Sequence, residues 1–520
     1  NIIHDDFFSV LVNDEFERHF DLIIGNPPFE SKLTSSASNL EKERSKSRII
    51  SAPEPDKENQ YPPVKLPDNQ IALLFLEQSI RLCKEGGLVC LIQPSGPLLY
   101  NNTSLRFRQV LLTDYHVPQI IDFTHISRIL FGKNGDVATA AIFLKNEKPN
   151  GRSLLHVTTR RTKPHKEKLF FELDTYDFHV VPYNLALNDT NIWKCNFIGG
   201  NRYHQLLNRL KEFSNLGDFL DKKMKENGWD AGEGYIIGNR TEIRELEHLS
   251  SLDSLTVGQK QKLVKLTKKY KKADFVTGKD TFDPKDFTTE GLAEGAIYSQ
   301  KEKYFHYTGK RKIFEAPHVL IKELVEKDKI PTLYSNRYLT FKHRVVGIHA
   351  PKEEEYELKR LHSALRSKAN LFLLASTSAE FMINRSSSFL RKDLNSFVLP
   401  NSEDDFDLDE TENILIGDFL DYLLEFRRQG EKSKIAKQNA SLEDISKFSK
   451  AFSQIISNTF GQLNSYDHFE TDSHICLPFY FGDKPDIDFA NSLNAEEHLQ
   501  ELVSKDFGVS LRLKRVIRLY

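Results

Sequence analysis

Asp21-Leu22-Ile23-Ile24-Gly25-Asn26-Pro27-Pro28-Phe29 runs from an apolar segment into a glycine, an amide, two prolines and an aromatic ring. Leu22 to Ile24 predict a buried strand that stops at the prolines, because neither proline can donate to a sheet ladder. The tip beyond the strand is then a rigid turn that presents the Asn26 side chain, stiffly held carbonyls and a phenyl ring. Such a turn suits a flat ring bearing an amino group. The Asn26 oxygen and the Pro27 carbonyl can accept both amino hydrogens, while Phe29 stacks on the ring face. The plainer alternative is a turn that only caps a core strand.

The chain has 520 residues, enough for two or three domains. Charged residues make up 28% and the net charge is −2, so a nucleic-acid surface would have to be local. Its four cysteines, Cys83, Cys90, Cys195 and Cys476, form no CxxC pair, which argues against a zinc site or a disulfide framework and for a reducing cytoplasm. No apolar run approaches membrane-spanning length, and no signal-peptide pattern opens the chain. The first residues, Asn1-Ile2-Ile3-His4-Asp5-Asp6-Phe7-Phe8, start without Met in mid-pattern, and Ser510 to Tyr520 close on strand-like alternation. Both ends read as cuts through a longer protein.

Asn26-Pro27-Pro28-Phe29, placed after an apolar strand, resembles the Asn-Pro-Pro-Phe/Tyr motif of methyltransferases that act on amino groups and use S-adenosylmethionine. The resemblance is greatest to the adenine-N6-specific DNA methyltransferases of restriction–modification systems, the Type IIG or TaqI-like gamma class. It implies an α/β fold: part of the doubly wound, Rossmann-like class I sheet, followed by a mixed α+β target-recognition domain. It also implies roles for particular residues. Asn26, Pro27, Pro28 and Phe29 would be catalytic. Asp6, with Asp5 as a substitute, would accept from the adenine amino group of S-adenosylmethionine, and Phe7 would complete that contact. Phe131 would pair with Phe29 to clamp the extruded base. Read without the family, Asp6-Phe7 is equally a helix cap with a core aromatic, and Phe131 a core residue.

The flanks follow the same order. Residues 31–67, rich in Ser, Lys, Glu and Pro, predict a long mobile loop. Ile71 to Cys83 has helical spacing, ended by Glu85-Gly86-Gly87. Leu88 to Ile92 predicts a buried strand with Gln93-Pro94-Ser95 at its tip, a block expected of a doubly wound sheet. Leu105–Leu112 predicts a helix, and Gln119–Asp122 and Ala138–Leu144 predict strands. The glycine-rich loop for the methionine part of the cofactor, and the acid for its ribose, belong before Asp6 and are expected upstream of this chain. Gly232-Glu233-Gly234 is a weak substitute, a lone GxG with no buried strand before it.

The domain reading is a catalytic part over 1–190, a target-recognition domain over 191–402 with a helical insertion at about 241–273, and a helical linker with a small α/β region over 403–520. Strand-like Val319–Lys322 and Tyr338–Phe341, a helix from about Glu357 to Leu374, and a polar closure before Pro400 resemble target-recognition domains of Type IIG and Type I-related enzymes. Residues 301–312 mix aromatics with cations, as phosphate- and base-contacting segments do. Lys310, Arg311, Lys312, Ser386, Arg391 and Lys392 are the expected DNA contacts; otherwise they are solvated surface. Residues 402–412 read as an acidic linker, with helices over Ile414–Arg428 and Leu442–Phe460. The partner implied is double-stranded DNA, with a restriction or specificity subunit or a fused nuclease domain as a further one; no metal and no membrane are implied. Two rival functions remain open. One is protein-glutamine N5 methylation, which uses the related NPPY turn in smaller proteins. The other is a non-catalytic DNA-recognition fragment of a larger restriction–modification protein.

Overall fold

The structure, a computed structural model, describes residues 7–10, 17–48, 64–127, 137–149, 153–161, 171–172, 177–384, 387–400 and 406–436. Two compact units share the chain: one contains the stretch up to Leu206 and returns near residues 382–386 and beyond Asp421, and the other spans Leu207–Phe381 and Ser387–Leu420. Asp5, Asp6, Phe131, Ser386, Cys476 and the helix expected over Leu442–Phe460 lie outside the described residues.

The first unit is built on a mixed six-stranded sheet, which bears out the expected α/β class. After a short helix α1 (Phe7–Val10) come β1 (Phe20–Gly25), α2 (Ser35–Ser47), α3 (Ile71–Leu82), β2 (Cys83–Pro94), α4 (Ser104–Asp114), β3 (His116–Asp122), β4 (Thr139–Lys145), β5 (Ser153–Thr158) and β6 (Phe178–Pro182). Their order across the sheet is β1-β2-β4-β3-β5-β6. β1 runs parallel to β2 and β3 parallel to β5, while β4 is inserted antiparallel between β2 and β3. β1, β2, β3 and β5 therefore all end on one edge, where open α/β sheets present their ligand crevice. β3, β4 and β5 are buried almost throughout, as strands covered on both faces must be.

Three expectations change here. Leu22–Ile24 is a strand but not a buried one: Leu22 is 54% and Ile24 72% exposed, with Phe20 beside them on the same face. Among the described residues β1 pairs with β2 alone. Gly86-Gly87 lies within β2 instead of ending the helix, which stops at Leu82. Gly87 serves close approach there, because a Cβ would lie 2.7 Å from Cys83 Sγ and 3.1 Å from the Asp21 carbonyl. Finally, the loop expected over 31–67 contains α2. Thr34 caps it by accepting from Ala37 N at 3.3 Å; Glu41 and Arg44 are half-buried, whereas Lys42, Glu43 and Lys46 are exposed. Arg48 is buried and donates to both oxygens of Glu77 and both of Glu41, at 2.6–3.0 Å. It also donates to the Val64 carbonyl at 2.9 Å. The sequence pattern looked unstructured because α2 is fixed by a buried ion network rather than by an apolar stripe.

The second unit holds several small sheets. Its largest comprises β7 (Asp230–Glu233), β13 (Val345–His349), β11 (His318–Lys322) and β12 (Thr332–Ser335), in that order. A second joins β8 (Ile236–Ile237), β10 (Tyr304–Tyr307) and β9 (Lys271–Lys272). An aromatic core including Tyr235, Phe282, Phe287, Phe305, Phe314 and Phe341 packs between them. The insertion expected at 241–273 is a helical hairpin, α5 (Arg240–Ser250) and α6 (Val257–Lys269). The single helix expected from Glu357 to Leu374 is two, Glu355–Leu365 and Lys368–Thr377, because Ser367 accepts from Asn370 N and starts a new helix. The acidic linker is likewise corrected in its last residues: Glu410–Glu412 open a helix that runs to Ala436, where acids favour a helix N-terminus.

Candidate active site

The turn after β1 is solvent-facing on one side and anchored on the other. Asn26 and Pro28 are exposed, Phe29 is half-buried and Pro27 is buried. Ile71 N donates to the Glu30 carbonyl at 3.0 Å, tying the chain just past Phe29 to the first turn of α3. The Asn26 amide makes no hydrogen bond to a described residue, so both its oxygen and its nitrogen are available to a ligand. A cap that served only the strand would spend that amide on the backbone. Pro27 fixes the turn at no cost in lost donors, since its nitrogen carries no hydrogen.

Next to it on the same edge is a cluster that the sequence reading did not single out. Asp122, at the end of β3, is buried and accepts from Thr124 N at 2.8 Å and Thr124 Oγ1 at 2.5 Å, and from the Tyr100 hydroxyl. His156 Nε2 stands 3.8 Å from its carboxylate. Ser95, at the tip of β2, completes the group through Thr124 Oγ1 at 2.8 Å. Burial opposes ionisation of Asp122, but the neighbouring His156 ring and the Thr124 and Tyr100 hydroxyls outweigh it and hold the carboxyl below its ordinary range. Burial, and then the Asp122 charge, push the Tyr100 phenol well above its usual value. β1 and β3 are separated by β2 and β4, so Asn26 and Asp122 lie about three strand spacings apart, roughly 14 Å. Both groups stand at strand ends on the same edge, with β2 and β4 between their strands. The signal for it was an acid ending an apolar strand with Thr two residues on, an Asx-type turn. His156 joins through tertiary pairing that no local pattern reveals.

Of the expected cofactor contacts, Phe7 is described: its ring is half-buried, stacked on Phe75 with centroids 4.5 Å apart, and edge-on to Phe8 at 5.4 Å. Among the described residues no group of three or more His, Cys, Asp or Glu is placed to hold a metal, and no helix is long and apolar enough to cross a membrane.

The expected DNA contacts are all in the second unit and differ in their partners. Lys310 Nζ is 2.5 Å from Asp230, Arg311 Nε 3.2 Å from Glu315, and Arg391 donates to the Ala231 carbonyl at 3.4 Å. Lys312 and Lys392 are exposed and have no ion-pair partner among the described residues.

Residues 3–129 match the family model described as Eco57I restriction-modification methylase. The type IIG restriction endonuclease BpuSI is 13% identical over 81% of this chain and 50% of its own, with a TM-score of 0.30. The Type IIL restriction-modification enzyme MmeI, solved in complex with DNA, is 10% identical over 85% of this chain and 57% of its own, with a TM-score of 0.37. The methyltransferase subunit of a type I restriction-modification system from Streptococcus thermophilus is 17% identical over 34% of this chain and 37% of its own, with a TM-score of 0.24. The chain thus spans about half the length of the first two and about a third of the last. No curated protein matches it. The matched segment, residues 3–129, carries the Asn26–Phe29 turn.

Proposed function

We propose that the chain takes part in methylating adenine N6 in DNA, with S-adenosylmethionine as donor, within a restriction–modification system. The observation that carries this reading is the exposed Asn26 amide, without a hydrogen-bond partner among the described residues, on a proline-fixed turn where β1 and β2 end together. Adenine N6 is a poor nucleophile because its lone pair is delocalised into the ring. Asn26 Oδ1 and the Pro27 carbonyl accept its two hydrogens, which lets the nitrogen pyramidalise and turn its lone pair outward. Phe29 stacks on one face of the base and Phe131 on the other. Asp6 and Phe7 hold the cofactor's adenine. When bound, S-adenosylmethionine supplies a methyl group on a positively charged sulfur for in-line displacement. The chain's own contribution is positioning and electrostatics. The base must leave the duplex, at a cost of roughly a few kcal/mol that stacking repays. Lys310, Arg311, Lys312, Arg391 and Lys392 are assigned to the DNA-facing side, with Lys312 and Lys392 carrying the least compensated charge.

The test is methyl transfer to an adenine-containing duplex by the full-length protein. Asn26→Ala should lower the rate about 10²–10³-fold, as loss of one transition-state hydrogen-bond partner does, without lowering the thermal midpoint. Methylation of protein glutamine but not of DNA, or full activity in the Asn26→Ala variant, would overturn the proposal.

A further inference from the structure

The helical hairpin α5–α6 and the ribbon after it concentrate charge in a way the chain as a whole does not. Residues 240–272 carry nine cations and four carboxylates, a net of +5 in a chain whose net charge is −2. The asymmetry sharpens within the hairpin: residues 257–272 contain seven lysines and no acid. Two of the seven are neutralised across the hairpin, Lys262 by Glu245 and Lys269 by Glu242. Lys260, Lys265, Lys268, Lys271 and Lys272 are exposed and form no ion pair among the described residues, although the charge of Lys265 still acts on Glu242.

These five lysines are not on a loose loop. Asn239 caps α5, accepting from Thr241 N at 3.0 Å and Glu242 N at 3.2 Å. Thr256 and Gln259 form a capping box on α6. Ile243, Leu246, Leu249, Leu266 and Tyr270 make a small core of their own, against which Leu263 and Tyr304 pack. Gly238 permits the close approach, since a Cβ there would lie 2.7 Å from Ile243 and from Tyr270. With Leu263, Leu266 and Tyr270 packed inward, Lys265 and Lys268 fall on the opposite side of α6 and Lys260 on its flank. Lys260 to Lys268 covers about 12 Å along the helix, the length of roughly three to four successive phosphates on one DNA strand. Lys271 and Lys272 continue the surface on the edge strand β9, with Lys272 Nζ 5.3 Å from the Tyr304 ring centre.

We propose that this hairpin and ribbon form a sequence-independent clamp on the phosphate backbone of duplex DNA; the partner rests on the reading that the chain acts on DNA. Preorganised lysines without acidic partners release counterions on meeting phosphates, whereas point charges on flexible stems read no base. An anionic membrane is the less favoured occupant. The outward face of α6 offers only Val257 and Val264 as exposed apolar groups and no aromatic, too little to anchor a helix in a bilayer interface.

The experiment is salt-dependent binding of the full-length protein to two labelled duplexes of unrelated sequence, followed by anisotropy. The variant is Lys260→Gln with Lys265→Gln and Lys268→Gln, all solvent-facing substitutions that leave the hairpin core intact. Three lost phosphate contacts should reduce the slope of log K against log salt by about 2.7 and weaken binding roughly five-hundredfold near 0.1 M salt, equally for both duplexes. An unchanged slope while the unsubstituted protein methylates adenine overturns the clamp alone. A reduced slope in a protein that methylates no adenine supports the clamp and counts against the active-site reading. Lysine-dependent binding to phosphatidylserine vesicles with no binding to either duplex overturns the clamp in favour of a lipid surface.

Discussion

Arg48→Met should destabilise the first unit more than any surface change near the Asn26 turn. All three guanidinium nitrogens are engaged: Nε and Nη2 reach Glu77 at 3.0 and 2.6 Å, and Nη1 and Nη2 reach Glu41 at 3.0 and 2.7 Å, with Nη1 also on the Val64 carbonyl. Burial works against the charge, but the two carboxylates more than compensate and push its pKa above the ordinary arginine value. Removing the arginine leaves two carboxylates facing one another with only Arg44 nearby, 3.1 Å from Glu77. Breaking one side of a buried ion network costs about 3–5 kcal/mol. At roughly 2–4 °C per kcal/mol for a body of this size, the calorimetric midpoint should fall about 6–20 °C. Hydrogen exchange should show α2 losing protection first, since α2 lacks an apolar stripe to hold it. A triple substitution, Arg48→Met with Glu77→Met and Glu41→Gln, should recover much of the loss, because the desolvation cost goes with the charges. A midpoint for Arg48→Met within about 2 °C of the unsubstituted protein, or no recovery in the triple variant, would refute the reasoning.

Gly234→Ala should cost roughly 3–5 kcal/mol, because its Cβ would lie 2.6 Å from the Lys342 carbonyl oxygen and closer still to that of Phe341; a melt unchanged from the parent would contradict it. Two groups in the second unit should bend its stability against pH in opposite directions. Burial, then the charge of Glu233, raises Glu323 to about 7, so its contribution is present below the unfolded value near 4.5 and is lost as pH rises through 7. Burial lowers His318 to about 4, so its contribution is present above the unfolded value near 6.5 and is lost as pH falls through 4. Glu323→Gln should therefore raise the urea midpoint above pH 7 and leave the acid limb unchanged; an equal shift at pH 5 and pH 8 would be inconsistent with that assignment.

The sheet was legible in the sequence wherever burial was two-sided. Gln119–Asp122 holds the apolar pair Ile120-Ile121 and Ala138–Leu144 the run Ala140 to Leu144, and both stretches form strands close to those bounds. β1 was legible as a strand but not in its exposure, because the apolar residues of a strand do not say how many of its faces are covered. α2 was illegible, since its fold is determined by Arg48, by Glu41 within the helix and by the distant Glu77 rather than by periodicity. At the candidate site, Asn26 to Phe29 stood out because two prolines after an apolar run have few structural uses. Asp122 and His156 are brought together by strand pairing alone, with 33 residues between them, and neither residue type is rare enough to draw notice.

Phe20, Leu22 and Ile24 are exposed side by side on β1, and Asn26 follows two residues after Ile24. The apolar surface and the candidate catalytic amide thus share an address, so whatever covers the one, a further strand or another molecule, stands beside the other.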